Sequence, residues 1–168
     1  MEILPYSPQF IRDKFDCGKS SLNNYILRNV TKDVKAGACT CFVIINDNKE
    51  VIGYYTLSTE SIPKSDAPLE YQKKINYPYL PVILLGRLAV DKNEFGNGYG
   101  KLMLINALKQ SLDVAKNQIG AVAIVVDPID GEAVAFYTKY GFTLLPNSGR
   151  MFMTMNKIET AFHQRKTE

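Results

Sequence analysis

The stretch that most limits how this chain can fold is residues 82–119, which reads VILLGRLAVD, KNEFGNGYG and KLMLINALKQSLDVAKNQI in succession. The first segment is an almost continuous apolar run, as expected of a central strand buried on both faces. The third places Leu102, Ile105, Leu108, Leu112 and Ala115 at steps of three and four, the stripe of a long amphipathic helix. Between them Gly96, Gly98 and Gly100 alternate with Asn97 and Tyr99. A second buried strand, GAVAIVVD at residues 120–127, follows the helix. A strand–helix–strand unit obeys the right-handed crossover rule and makes at least one pair of strands parallel. The class is therefore mixed α/β.

The flanking sequence supplies the other elements. EILPYS near the start reads as a short first strand. Ser20 or Ser21 is placed to cap a helix that carries Leu22, Tyr25, Ile26 and Val30 at helical spacing, with Gly37 to end it. Arg28, Lys32 and Lys35 fall on a neighbouring face, which is either a solvated row or an anion-contacting surface. CTCFVIIN and VIGYYTLSTES are β-rich runs joined by the turn DNKE. Residues 62–81 hold four prolines and little periodicity, so they read as a long loop, either functional or partly disordered. GEAVAFYTKYGF reads as a short helix ending at Gly141, TLLPN and RMFMTMNK as closing strands, and IETAFHQRKTE as a polar, frayed tail. The expected order is β-α-β-β-β-α-β-α-β-β.

At 168 residues, with 46% hydrophobic and 22% charged, the chain is expected to form one folded domain over residues 1–168. The net charge of +3 permits an anionic partner without demanding one. The start, MEILPYSPQF, lacks the basic and apolar regions of a signal peptide, and the longest apolar run is broken by Arg87. A soluble, cytoplasmic protein with no membrane partner is expected. Cys17, Cys39 and Cys41 are odd in number, which favours free thiols, with Cys39 and Cys41 on one strand face as buried small hydrophobes. The single histidine, His163, lies in the polar tail, which argues against a zinc site or a Ser-His-Asp triad, so no metal is expected.

Placed between a buried strand and a long helix, the glycines suit an anion. The first amides of a helix have no intrahelical acceptor, and the helix dipole adds partial positive charge. Glycines let successive N–H groups converge on a phosphate or pyrophosphate. The stretch is neither a P-loop nor the dinucleotide fingerprint G-x-G-x-x-G. Some thirty residues later comes AVAFYTKYGF. Together the two blocks resemble the acetyl-CoA-binding half of the GNAT superfamily of N-acetyltransferases. In that family the loop has the form Gln/Arg-x-x-Gly-x-Gly/Ala, and a later helix carries Tyr followed by Lys-x-Gly-Phe or a close variant. Gly98 and Gly100 fill the small-residue positions, while Phe95 stands where Gln or Arg is usual and Asp130 where many members have Asn. FDCGKSSLNNYI, with Phe15, Asp16, Cys17, Gly18, Leu22 and Asn23, is similar to a branch of bacterial GNAT toxins that acetylate the amino group of aminoacyl-tRNA.

The resemblance implies a mostly antiparallel central sheet with one parallel, splayed strand pair and helices on both faces. It implies acetyl-CoA (coenzyme A) as cofactor. Phe95, Gly96, Asn97, Gly98, Tyr99, Gly100 and Lys101 would meet its pyrophosphate, Leu88, Ala89 and Val90 its pantetheine arm, and Phe136 would also bind it. Tyr137 would be the catalytic acid that protonates the leaving thiolate. Packing against Phe136 alone is the plainer reading of Tyr137, and Tyr140 and Phe142 read as structural. The base is open, with Glu60 and Asp91 at expected strand ends only weak candidates. Arg87, a charge inside an apolar run, either pairs with an acid or faces an anionic substrate. Tyr54, Tyr55 and the loop at 62–81 would wall the acceptor side, and Lys73 and Lys74 are either a solvated pair or an RNA contact. The acceptor is an amine. Charged tRNA is implied by the toxin branch, and a free amino acid, polyamine, antibiotic or peptide amine is left open by the modest charge. A small antitoxin protein is a partner implied by the same branch, and a homodimer fits the family. A non-catalytic CoA-binding module is the third reading, and Tyr137 stands against it.

Overall fold

The computed structural model describes residues 2–164. Its strands are β1 (Ile3–Pro5), β2 (Thr40–Ile45), β3 (Val51–Pro63), β4 (Tyr79–Val90), β5 (Ala123–Val126), β6 (Thr143–Leu144) and β7 (Met151–Thr154). They form one sheet in the order β1-β2-β3-β4-β5-β7-β6. The β4–β5 pair is parallel, as the crossover rule requires, while β1–β2, β2–β3, β5–β7 and β6–β7 are antiparallel. The helices are α1 (Ser20–Asn24), α2 (Val30–Lys35), α3 (Leu69–Lys74), α4 (Tyr99–Asn117), α5 (Gly131–Lys139) and α6 (Met155–Gln164). Among the described residues no helix is long and apolar enough to cross a membrane.

The chain divides into two compact units, Met1–Ser58 with Gly86–Ala107 and Thr59–Leu85 with Leu108–Glu168. In the first, Phe15, Tyr25, Ile26, Val30, Cys41, Val43, Val51, Tyr54 and Ala89 form the core. Tyr25, Ile26 and Val30 are the helical stripe expected from their spacing. The helix, however, starts from Lys19 as N-cap, with no side-chain cap, so neither Ser20 nor Ser21 plays that part. Residues Tyr25–Asn29 form a π-helical turn between α1 and α2, a local widening that local spacing does not announce. Gly37 ends α2 at φ 73°, with its N–H bonded to Val34 C=O. Cys41 is buried as expected. Cys39 lies just before β2, half-buried, and all three thiols are free.

In the second unit the core is Ile62, Ala67, Leu80, Val82, Ala123, Val125, Leu145 and Phe152. Two expectations fail here. Residues 62–81 are not a structureless loop: β3 runs to Pro63, a 3-10 turn covers Lys64–Asp66, and α3 follows before β4 begins at Tyr79. The tail is not frayed over its described part. Strand β7 stops at Thr154 and α6 follows directly, with Met155 and Ile158 buried on its inner stripe. Those apolar positions anchor a segment whose composition reads as polar. His163 lies on α6, paired with Glu159 at i,i+4. On α4 the buried residues are Met103, Leu104, Ala107, Leu108 and Ser111, and Leu102 is 41% exposed, so the inner stripe lies about one position from the expected one.

Candidate active site

The first unit contains the end of β4 and the glycine loop. Pairing of β4 with β5 stops at the Leu85–Val126 rung, so Leu88, Ala89 and Val90 lie beyond the last rung to β5. On the other side Asp91 N–H still bonds Ile52 C=O at 2.8 Å. A strand held along one edge and unladdered along the other offers N–H and C=O groups to an extended ligand.

After Val90 the chain is fixed by carboxylates. Asp91 is buried, and its side chain accepts from Asn93 N–H (2.9 Å) and from Asp16 N–H (3.0 Å). Asp16 in turn accepts from Gly18 N–H and Asn23 Nδ2, both at 2.8 Å, and pairs with Lys92 Nζ at 2.7 Å. Lys92, the Gly18 N–H and Asn23 hold the Asp16 carboxyl well below the usual carboxylate range. The block FDCGKSSLNN is thus a brace on the root of the glycine loop. Asp91 is structural, since its oxygens are engaged by backbone donors.

Beyond a 3-10 turn at Lys92–Glu94, Phe95 is 61% exposed, and Gly96 and Gly98 sit at φ 86° and 79°. A Cβ at either glycine would meet nothing within 4 Å, so the requirement is left-handed backbone rather than space. The first bond of α4 runs from Leu102 N–H to Gly98 C=O at 3.0 Å, which leaves the N–H groups of Tyr99, Gly100 and Lys101 ahead of it. The loop therefore fits a pyrophosphate through main-chain donors. Lys101 is exposed at the helix start.

Tyr137 belongs to the second unit. Asp130 caps α5 by accepting from Ala133 N–H at 2.9 Å, so a carboxylate serves there as an amide oxygen would. Gly141 ends the helix at φ 97°, and Phe142 N–H bonds Tyr137 C=O at 3.1 Å. The Tyr137 ring is 8% exposed and packs edge-to-face on Phe136 (5.2 Å) and Phe142 (5.3 Å). Its hydroxyl has no hydrogen-bond partner among the described residues. Burial raises its pKa, so the phenol keeps its proton throughout the physiological range. Glu60, in the same unit, is tied to Arg150 at 3.4 Å and accepts from Ser61 N–H, and Asp127 holds the same arginine at 2.7 Å.

One expectation needs correction, and one of the two alternatives for Arg87 falls away. Tyr54 and Tyr55 wall no substrate surface. Both are fully buried, with hydroxyls donating to Leu22 C=O (2.7 Å) and Asn106 Oδ1 (2.6 Å). Arg87 has not found an acid: its guanidinium carbon lies 3.5 Å from the centre of the Tyr25 ring. Lys73 and Lys74 are exposed on α3, and Lys74 pairs with Glu70 at 2.6 Å.

Residues 37–144 match the family described as Acetyltransferase (GNAT) domain. A tRNA-acetylating toxin of Mycobacterium tuberculosis (strain ATCC 25618 / H37Rv) is 35% identical over 143 residues, covering 85% of this chain and 84% of the relative. The structure of AtaT complexed with acetyl-methionyl-tRNAfMet superposes with a TM-score of 0.87 at 26% identity, covering 96% of this chain and 97% of that one. AtaTR bound with AcCoA does so with a TM-score of 0.84 at 25% identity, covering 96% and 97%.

Proposed function

The chain belongs to the GNAT family of acetyltransferases, and from that premise we propose that it acetylates the amino group of aminoacyl-tRNA from acetyl-CoA and acts as a toxin. The observation that carries the cofactor half is the glycine loop, with left-handed Gly96 and Gly98 feeding a 19-residue helix whose first amides are free for an anion. The acceptor half is supported by the M. tuberculosis relative, a tRNA-acetylating toxin, and by the AtaT complex with acetyl-methionyl-tRNA.

Acetyl-CoA supplies an activated thioester, whose C–S bond is exchanged for the C–N bond of an amide. The amides of Gly96 and of Gly98 to Lys101 hold the pyrophosphate, with Asn97 N–H kept by Glu94 C=O and Phe95 as a solvent-side neighbour. The free edge of Leu88, Ala89 and Val90 carries the pantetheine arm, and a main-chain N–H there polarises the acetyl carbonyl. Phe136 contributes apolar contact. Tyr137 donates its O–H proton to the departing sulfur. An ordinary phenol, with a pKa of about 10, is a weaker acid than a thiol of about 8.5, and burial widens that gap, so the transfer requires a bound-state environment that favours it. The attacking amine must be neutral. A free α-amine titrates near pH 8 and an ester-linked one lower, so a usable fraction is neutral at neutral pH without a strong base, and the proton shed on forming the amide passes to water. The reading places the protein in the cytoplasm, where charged tRNA is found, working as a single acetyltransferase domain with a small antitoxin as its partner and a homodimer as its assembly. Incubation of the protein with acetyl-CoA and charged tRNA, read by mass spectrometry of the released aminoacyl group, tests it: an unmodified amino group with acetyl-CoA intact would sink it.

A further inference from the structure

Arg87 lies on β4 inside the first unit, one residue before the Leu88–Val90 segment. A planar guanidinium whose carbon is 3.5 Å from the Tyr25 ring centre must lie flat on the ring, because a nitrogen tilted inward would clash with it. Its N–H donors then point sideways along the edge of the plane. No carboxylate pairs with Arg87 and no acceptor takes a bond from its side chain among the described residues. The acid whose charge reaches Tyr25, Asp33, forms no ion pair with Arg87 among the described residues. Burial raises the pKa of Tyr25 and Tyr54 and pushes the Cys41 thiol up to about 12, so none offers a counter-charge at neutral pH. A half-buried cation without a counter-ion is costly unless a ligand completes it.

The support under the guanidinium is itself built. Tyr25 is 5% exposed, stacks on Tyr54 at 6.1 Å and bonds through its hydroxyl to Cys39 Sγ at 3.2 Å. It opens the π-helical turn, where Val30 N–H reaches Tyr25 C=O, and such turns gather at functional sites. The same helical stretch carries exposed Arg28, Lys32 and Lys35, none of them ion-paired among the described residues. The arrangement is a planar donor fork on Tyr25, whose own helical stretch carries a row of exposed cations, which suits a phosphate ester better than a single carboxylate.

We propose that Arg87 is a substrate-binding residue that takes a backbone phosphate near the aminoacylated end of the acceptor RNA, held in plane by Tyr25. The assignment rests on the aminoacyl-tRNA reading above. The other source of the same chemistry is a phosphate of coenzyme A, and the test separates the two.

Steady-state kinetics would compare wild type, Arg87→Met and Arg87→Lys on charged tRNA, on the aminoacylated terminal trinucleotide and on aminoacyl-adenosine, which has no phosphodiester. Losing a charge-assisted bidentate contact is expected to cost Arg87→Met about tenfold or more in kcat/KM on the two phosphate-bearing acceptors. Aminoacyl-adenosine and the KM for acetyl-CoA should be unmoved, and Arg87→Lys should fall between. An equal loss on all three acceptors, or a rise confined to the KM for acetyl-CoA, overturns the proposal. Should the variants not fold, wild type alone decides: the trinucleotide must exceed aminoacyl-adenosine by about tenfold, and parity refutes it. Failure of wild type to acetylate any of the three refutes the aminoacyl-tRNA reading itself. Acetylation with indifferent Arg87 variants refutes only this inference.

Discussion

The glycine loop and the α5 aromatic cluster solve opposite problems. The loop, residues 95–101, is exposed and works through backbone. Its two left-handed glycines leave open space where a side chain would go, and its most prominent side chain, Phe95, stands in solvent. The cluster around Tyr137 is buried and, under the proposed function, would work through one side chain, with Phe136 and Phe142 fixing the ring and desolvation keeping its proton in place. A binding element made of main chain tolerates sequence change at every position except where φ is positive. An element that would act through one hydroxyl depends on that atom and on the rings that fix it.

Substitutions can break this contrast in order of size. Tyr137→Phe removes only the hydroxyl and should lower kcat by about a hundredfold to ten-thousandfold while the melting temperature hardly moves, because the oxygen has no bonded partner to lose. A large stability change would make Tyr137 structural. Gly98→Val forces a β-branched residue to φ 79° and should weaken acetyl-CoA binding by calorimetry about tenfold or more, from strain of about 1–2 kcal/mol or above. Asp91→Ala strips the acceptor from two backbone donors and should cost about 1–3 kcal/mol in chemical denaturation. Phe95→Ala should leave acetyl-CoA affinity within about threefold, since an exposed ring contributes little; a greater effect there than at Gly98 would reverse the assignment of binding to backbone.

Ionisation sharpens the same comparison. Burial raises the pKa of Tyr25, Tyr54, Tyr55 and Tyr137, so the folded chain holds these protons more tightly than the unfolded one. The stability they contribute is fully present below the ordinary tyrosine value of about 10 and is lost as pH climbs towards their raised folded values. Denaturation midpoints should therefore be flat near neutrality and fall above pH about 10. Tyr54→Phe should flatten that fall, and an unchanged alkaline slope would count against its burial.

Features of short range were readable in advance. Strand β4, the glycine turn, α4 and α5 each declare themselves through apolar runs, helical spacing and positive-φ glycines within about twenty residues. Features that depend on distant partners were not. The Asp91 bond to Asp16 N–H spans 75 positions, and nothing local marks Asp91 as a brace. Tyr54 and Tyr55 look like surface aromatics until their partners, Leu22 and Asn106, are in place. Arg87 was visible as an anomaly, but only the fold supplies Tyr25 beneath it. Helix α6 was missed because two anchoring residues, Met155 and Ile158, are diluted by polar neighbours.

Acetyl transfer to the amino group of aminoacyl-tRNA leaves a product that can be weighed. Its most direct measurement is a single-turnover incubation of the protein with acetyl-CoA and a mixed pool of charged tRNA, followed by nuclease digestion and mass spectrometry. N-acetyl-aminoacyl-adenosine and free coenzyme A should appear in equal amounts, and in Tyr137→Phe both should appear at least about a hundredfold more slowly. Acetyl-CoA consumed only with free amino acids, polyamines or peptides, and charged tRNA left unmodified, would contradict it.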